Sequence, residues 1–359
     1  MRIGIITYHN TRNCGAVLQS YALLKTLKKL GCNAEIIDYH CTEIDNAYVI
    51  KKPWQLRSLK ETVKWMLTIS KNIKAQKKFD IFKSKNMTVS LPYDKHTIKA
   101  ANESFDGFVT GSDQVWNFYL NGADENYILA FASEDKLKLA YAASLGYSKV
   151  PDEFKNIYLK HLPEFNGISV RETEGMTAVC EMGFNCNLVP DPTFLLSKED
   201  YEPLEKSPRE ERYILVYTIA STPNIEKKAK ELSQKTGLPI IWSHMSYKNR
   251  KGVTNVISPT CDEFLSLIKN AEYVLTSSFH GMAFSIIYEK NFYYDLSITK
   301  NNFNSRLTTL AQILDLSYRE IKPDKDILSY EKIDYQRVNS LKDEFRNKGI
   351  NYLKEGLGI

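Results

Sequence analysis

The sequence has 359 residues, 43% of them hydrophobic and 25% charged, with a formal net charge of +5. That length exceeds one ordinary hydrophobic core and suits two domains, and no apolar run reaches the roughly 18 residues needed to span a bilayer as a helix. Six scattered cysteines without a C-x-x-C pair indicate neither a zinc site nor a disulfide framework and read as reduced thiols.

The first residues, Met-Arg-Ile-Gly-Ile-Ile-Thr-Tyr, carry one basic side chain and run straight into an apolar stretch. They lack a signal peptide's long apolar region, so a cytoplasmic chain is expected. Arg2 to Tyr8 reads as a strand, His9 to Gly15 as a polar loop, Ala16 to Leu30 as an amphipathic helix closed by Gly31, and Asn33 to Tyr39 as a second strand.

A basic excursion, from about residue 41 to 100, interrupts this βαβ opening. Residues 51–99 hold thirteen Lys/Arg against three Asp/Glu, a local +10 in a chain of +5, so the remainder is net acidic. Trp54, Leu56, Leu59, Val63, Trp65, Met66 and Leu67 have helical spacing. One reading is contact with an anionic membrane at its inner face, each basic residue contributing about 1 kcal/mol. The other is a solvated helical face around an apolar stripe. No nucleic-acid-binding motif accompanies the charge.

The α/β pattern resumes with strands at Phe105 to Thr110, Lys138 to Leu145 and Ile168 to Val170, and a helix from Glu172 to Met182. Ser197 to Glu211, charged and holding Pro203 and Pro208, reads as an inter-domain connection, with the boundary near 208. The second half alternates again: strand Tyr213 to Thr218, helix Ile225 to Thr236, strand Pro239 to Trp242, helix Cys261 to Asn270, strand Tyr273 to Thr276, helix Gly281 to Glu289 and strand Phe292 to Asp295. Such alternation predicts parallel sheets with right-handed crossovers. The expected architecture is therefore α/β, with Rossmann-like domains at 1–208 and 209–325 facing a cleft and a helical segment, 326–359, packing back on the first.

Ligands in such folds lie beyond the C-terminal ends of strands, which singles out four stretches. In His9 to Gly15, a helix N-terminus is available to an anion, or Asn13 simply caps a tight turn; the loop lacks G-x-G-x-x-G spacing. Gly111-Ser112-Asp113-Gln114-Val115-Trp116-Asn117 offers a hydroxyl, a carboxylate and amides suited to sugar hydroxyls, or Ser112 and Asp113 cap a short helix over a core tryptophan. In Ser169-Val170-Arg171-Glu172, Arg171 either grips a carboxylate or phosphate bidentately or forms a surface ion pair with Glu172 or Glu174. In Ser277-Ser278-Phe279-His280-Gly281, hydroxyls and N–H groups at a helix start suit phosphate, with His280 placed to exchange a proton.

These stretches, with Asn13-Cys14-Gly15-Ala16-Val17-Leu18-Gln19 and Pro190-Asp191-Pro192-Thr193-Phe194, resemble the polysaccharide pyruvyl transferases over residues 1 to about 320. The resemblance implies a GT-B-like fold and transfer of pyruvate from phosphoenolpyruvate, as co-substrate without a redox cofactor or metal, onto a sugar or lipid-linked oligosaccharide acceptor. It implies Arg171 and His280 at the phosphoenolpyruvate site; the residues read by their own chemistry add Asp113 to His280 as catalytic groups and Ser277, Ser278, Gly281 and Arg306 to Arg171 on the donor side. Asn13, Gly15, Gly111, Ser112 and Gln114 fall on the acceptor side or in the surrounding loops. Some members carry arginine where this chain has Ser278; Arg306, Arg12 or Lys300 are the substitutes available. A nucleotide-sugar glycosyltransferase and a non-catalytic saccharide-binding relative are the alternative functions.

Overall fold

The computed structural model describes residues 1–50, 52–56, 58–206, 212–218, 223–244, 250–296 and 304–359. Its strands are β1 Arg2–Ile6, β2 Asn33–Tyr39, β3 Val89–Tyr93, β4 Gly107–Thr110, β5 Leu137–Ala143, β6 Gly167–Val170, β7 Asn187–Leu188, β8 Ile214–Tyr217, β9 Ile240–His244, β10 Thr254–Ile257, β11 Tyr273–Thr276 and β12 Asn291–Tyr294. The helices are α1 Cys14–Lys29, α2 Thr42–Tyr48, α3 Leu59–Asn86, α4 Phe118–Asn121, α5 Asp152–His161, α6 Thr173–Glu181, α7 Lys198–Tyr201, α8 Pro223–Thr236, α9 Cys261–Lys269, α10 Phe279–Ile287, α11 Ser305–Ile313 and α12 Tyr335–Leu357.

Two parallel sheets result, a seven-stranded one in the order β3-β2-β1-β4-β5-β6-β7 and a five-stranded one in the order β10-β9-β8-β11-β12. Their central strands are apolar on both faces, as helix-covered parallel strands must be: β4 and β8 are buried throughout. In the first sheet the strand order reverses between β1 and β4, which pair with Ile3 opposite Gly107; in the second it reverses between β8 and β11, with Tyr273 opposite Ile214. The loops leaving these four strands are where an α/β sheet opens a crevice for ligand.

The strands that sequence periodicity did not yield, β3, β7 and β10, are three of the four sheet edges, the fourth being β12. β3 includes Pro92 and is partly exposed, β7 spans two residues, and β10 contains no fully buried position, so none carries the apolar run that marks an interior strand. The segment expected to be a bare connection from Ser197 is in part a packed element. Tyr201 at the end of α7 is fully buried and its ring meets Phe284 of α10 at 5.0 Å. The boundary expected near 208 falls outside the described residues.

Both domains share a core that runs through the 3-10 turn Pro192–Leu195, which packs against α1, α10 and α12. The C-terminal α12 spans both domains: Asn339 Nδ2 near its start donates to Glu289 Oε1 of the second at 2.8 Å, and further along the Tyr352 hydroxyl donates to the Ala140 carbonyl at 2.8 Å and Arg346 Nε to the Phe194 carbonyl at 2.8 Å. Gly349 permits that approach, since a Cβ there would lie 2.5 Å from the Tyr141 hydroxyl. Among the described residues no helix is long and apolar enough to cross a membrane.

Candidate functional site

Three strand ends of the first sheet deliver side chains to one place. β6 ends at Val170 and projects Arg171; β4 leads into Gly111, Ser112 and Asp113; β7 is followed by Asp191. Arg171, 3% exposed, donates through Nη1 to Asp191 Oδ2 at 2.6 Å and through Nη2 to Asp113 Oδ1 at 3.2 Å. The Ser112 hydroxyl donates to Asp191 Oδ2 at 3.0 Å. Asp191 is itself fixed by Thr193, whose N–H and hydroxyl donate to Oδ1 at 3.0 and 2.8 Å. The surface ion pair considered for Arg171 is thus not what forms. Both Arg171 and Glu172 are buried, and the close partners of the guanidinium are Asp113 and Asp191.

Backbone geometry explains the glycines. Gly111 has φ +135°, and a Cβ there would lie 1.9 Å from the Tyr141 carbonyl oxygen, so only glycine lets the chain leave β4 beside β5. Asp113 follows with φ +65°, a conformation aspartate tolerates better than most residues. Gln19, buried in α1, pins this turn: its Oε1 accepts from Ser112 N–H at 3.3 Å and its Nε2 donates to Thr7 Oγ1 at 2.9 Å.

The second sheet brings α10. Ser278 is its N-cap, with its hydroxyl accepting from Gly281 N–H at 3.3 Å, an arrangement worth about 1 kcal/mol. The helix therefore starts two residues earlier than periodicity predicts and places His280 in its first turn. His280 reaches across to the first domain, its Nε2 3.8 Å from Asp191 Oδ2. Phe279 lies under the Arg171 guanidinium, 5.0 Å from ring centroid to charge. Gly281 is a packing position: its N–H is taken by the cap, and a Cβ would fall 2.3 Å from Thr276 Oγ1. On the facing helix, Asn13 caps α1 by accepting from Gly15 N–H at 3.0 Å, and Gly15 lies directly beneath the His280 ring.

The electrostatics follow from burial. Desolvation pushes His280 down to about 4, so its imidazole is neutral at pH 7. Burial opposes the charge of Asp191, but His280, Arg171 and the Thr193 donors outweigh it and hold the carboxyl below its usual value. Burial also pushes Glu172 up. Arg306, half-buried on α11, is lowered to about 10 by desolvation and by the neighbouring Arg171 charge, and remains cationic at neutral pH. Of the cations weighed as substitutes for an arginine at 278, Arg306 stands in the electrostatic range of Arg171, Asp113 and Asp191. Arg12 instead donates to Asn72 of α3 at 2.9 Å, and Lys300 lies outside the described residues.

Several buried polar atoms at this seam have no hydrogen-bond partner among the described residues: His280 Nε2, Arg171 Nε, Ser277 Oγ, Gln114 Nε2 and Asn117 Oδ1. Such atoms are costly unless something satisfies them; Arg171 Nε lies 3.9 Å from Glu172 Oε2, which likewise has no hydrogen-bond partner among the described residues. The two amides flank Gly146, where a Cβ would meet Gln114 Nε2 at 2.4 Å and Asn117 Nδ2 at 2.5 Å. Sequence reasoning gave no role to Asp191, Phe279 or Gln19. Asp191 had a legible signal, an acidic residue between two prolines just beyond a short apolar segment, but nothing local announces that it pairs with Arg171.

Two parallel sheets facing each other, with a buried Arg171–Asp191 pair and His280 where their switch points meet, define a GT-B-like α/β protein. Within that class the chain belongs to the polysaccharide pyruvyl transferase family, whose model matches residues 13–294. Among solved structures, S. aureus MnaA with UDP is similar with a TM-score of 0.54 at 12% identity, over 99% of this chain and 97% of that one. UDP-GlcNAc 2-epimerase from Methanocaldococcus jannaschii gives 0.49 at 12% identity over 97% and 93% of the two chains. E. coli heptosyltransferase WaaC with ADP gives 0.40 at 10% identity over 98% and 100%. At 12% identity the MnaA likeness is one of fold. No curated protein matches this sequence.

Proposed function

We propose that this protein transfers pyruvate from phosphoenolpyruvate to a sugar diol of a cell-surface or exopolysaccharide precursor, forming a ketal and releasing phosphate. Family membership supports pyruvyl transfer. The observation that carries the rest is the seam where His280 Nε2, Arg171 Nε and the Ser277 hydroxyl are buried without hydrogen-bond partners among the described residues, beside two guanidinium groups.

The reaction protonates the enol carbon of phosphoenolpyruvate to a methyl group, which makes the adjacent carbon an oxocarbenium-like electrophile. One sugar hydroxyl adds there, the C–O bond to phosphate breaks, and the second hydroxyl adds to close the ketal. Both hydroxyl protons depart; in net terms one replaces the proton consumed at carbon and the other leaves with phosphate. In our reading Arg171 and Arg306 hold carboxylate or phosphate, Ser277 and Ser278 line the donor side, and His280 contacts the phosphate or exchanges the proton. Asp113 orients or deprotonates the acceptor hydroxyl, with Gln114 and Asn117 beside it for other sugar hydroxyls.

The test is calorimetric binding of phosphoenolpyruvate to the wild type, Arg171→Ala and His280→Ala, with a nucleotide sugar in parallel. Binding by the wild type, weakened at least tenfold in both variants, supports the assignment. Binding of the nucleotide sugar alone would overturn it in favour of glycosyl transfer, and full turnover by folded His280→Ala would remove the histidine from the chemistry.

A further inference from the structure

The basic excursion carries two apolar faces. One face of α3 is ordinary core: Phe79 is fully buried and Phe82 nearly so. On the opposite face Leu59, Val63, Met66, Leu67 and Ile73 recur at helical spacing and are between 47% and 82% exposed, whereas Ile81 further along borders a cleft with Glu205, Asp262 and Glu263. The stripe is densest from Leu59 to Ile73, and exposed Ser70, Lys77 and Ser84 fall on the same line of the helix. Trp54, in the 3-10 turn before the helix, is 77% exposed with the Lys52 ammonium 5.3 Å from its ring centroid.

Charge decides what fits the stripe. α3 itself has eight lysines against Glu61 and Asp80, and Lys60, Lys71 and Lys74 are exposed along one flank of it; at the far end of that flank Lys78 pairs with Glu263 at 3.0 Å and Lys85 borders the same cleft. A second copy paired antiparallel about a two-fold axis would set this flank against itself, lysine to lysine. An apolar stripe with a tryptophan and a lysine flank is instead complementary to a bilayer with anionic headgroups, the stripe entering the acyl boundary and the ammonium groups meeting phosphate.

We infer that α3 and the turn before it bind the surface of an anionic lipid bilayer. The helix is tied to the catalytic seam by Arg12, which donates to Asn72, and by Lys83, which donates to Asn10 Oδ1 at 2.8 Å. A bilayer held by α3 therefore lies beside the loop that leads into Gly15. The stripe and its charge stand whether or not the transferase reading holds.

The experiment is co-sedimentation of the full chain with vesicles of phosphatidylcholine alone and of phosphatidylcholine mixed with phosphatidylglycerol. Binding is expected to the mixed vesicles, to weaken with salt, and to fall roughly fivefold for each of Lys60, Lys71 and Lys74 changed to glutamine. Leu67→Glu should weaken it while leaving the circular dichroism spectrum unchanged, since the side chain supports nothing in the fold. Equal association with both vesicle types, indifference to these substitutions, or concentration-dependent dimerisation that Leu67→Glu abolishes without any vesicle binding would each overturn the inference. Phosphoenolpyruvate affinity measured in the same variants separates failure here from failure of the donor assignment.

Discussion

The His280 imidazole rests on Gly15 so closely that a Cβ on that glycine would lie 2.1 Å from Nδ1. The contact joins the first turn of α10 in one domain to the first turn of α1 in the other, and with the Cys14 thiol donating to the Pro259 carbonyl at 3.0 Å it fixes how the two switch points meet.

Gly15→Ala should accordingly act through His280. Inside a helix alanine is favoured over glycine by about 1 kcal/mol, so the substitution taken alone should stabilise. Overpacking against the ring should reverse that and give a net loss of about 1–3 kcal/mol. In a His280→Ala background the obstruction is gone, and the same substitution should become neutral or stabilising. Urea unfolding of the four chains measures the coupling; an equal cost in both backgrounds would show that the ring is not what excludes a side chain at 15.

Asp191→Asn and Asp113→Asn separate the two partners of Arg171. Asp191 is fully buried in its side chain and holds the closer contact, so neutralising it leaves a buried guanidinium short of a counter-charge, at a cost of about 3 kcal/mol or more. Asp113 is partly exposed and sits at positive φ, where asparagine is well accommodated, and its neutralisation should cost less than about 1 kcal/mol. Denaturant midpoints decide between this order and its reverse.

The alternating halves were legible because buried parallel strands are continuous apolar runs: β11 was read to the residue, Tyr273 to Thr276, and β4 and β8 to within two residues. The edge strands β3, β7 and β10 and the helices α5 and α11 were not, since each buries only part of its surface and its periodicity is diluted by polar positions. The site divides in the same way. Arg171, Asp113 and His280 follow strands that could be recognised, so their positions were readable one at a time. Their partnership was not, because Asp191 meets Arg171 only when β7 adds to β6, and His280 meets Gly15 only when the second sheet docks on the first. Likewise the apolar residues of α3 were visible as a stripe, but which of its faces the protein covers depends on Phe79 and Phe82 docking to the core.

Stability should fall with acid across the window that His280 defines. The native imidazole takes a proton only near pH 4, whereas in the unfolded chain it does so near its ordinary value of 6.5. Between those values the unfolded state binds more protons, so unfolding becomes easier as pH drops, by on the order of 3 kcal/mol over the whole window, and this group contributes no slope above it. Asp191, lowered in the native state, adds loss in the same direction further into acid. His280→Gln should flatten the dependence between pH 6.5 and 4, as read from urea midpoints at a series of pH values. An unchanged slope would mean that the buried imidazole is not its source.

Binding of phosphoenolpyruvate should draw a proton onto the protein. In the free site His280 is neutral because desolvation outweighs the nearby carboxylates, and its Nε2 has no hydrogen-bond partner among the described residues. A phosphate dianion arriving at that nitrogen favours the imidazolium, which both donates to the phosphate and becomes the stored acid for the enol carbon. Calorimetry in buffers of different ionisation enthalpy should therefore report uptake of up to about one proton per ligand near neutral pH, largest where the free imidazole is fully deprotonated. The uptake should disappear in His280→Gln while some binding through Arg171 and Arg306 persists. Binding without buffer dependence in the wild type would leave His280 a neutral positioning group, and the proton for carbon would then have to come from another buried acid, of which Glu172, raised by its own burial, is the nearest in sequence to Arg171.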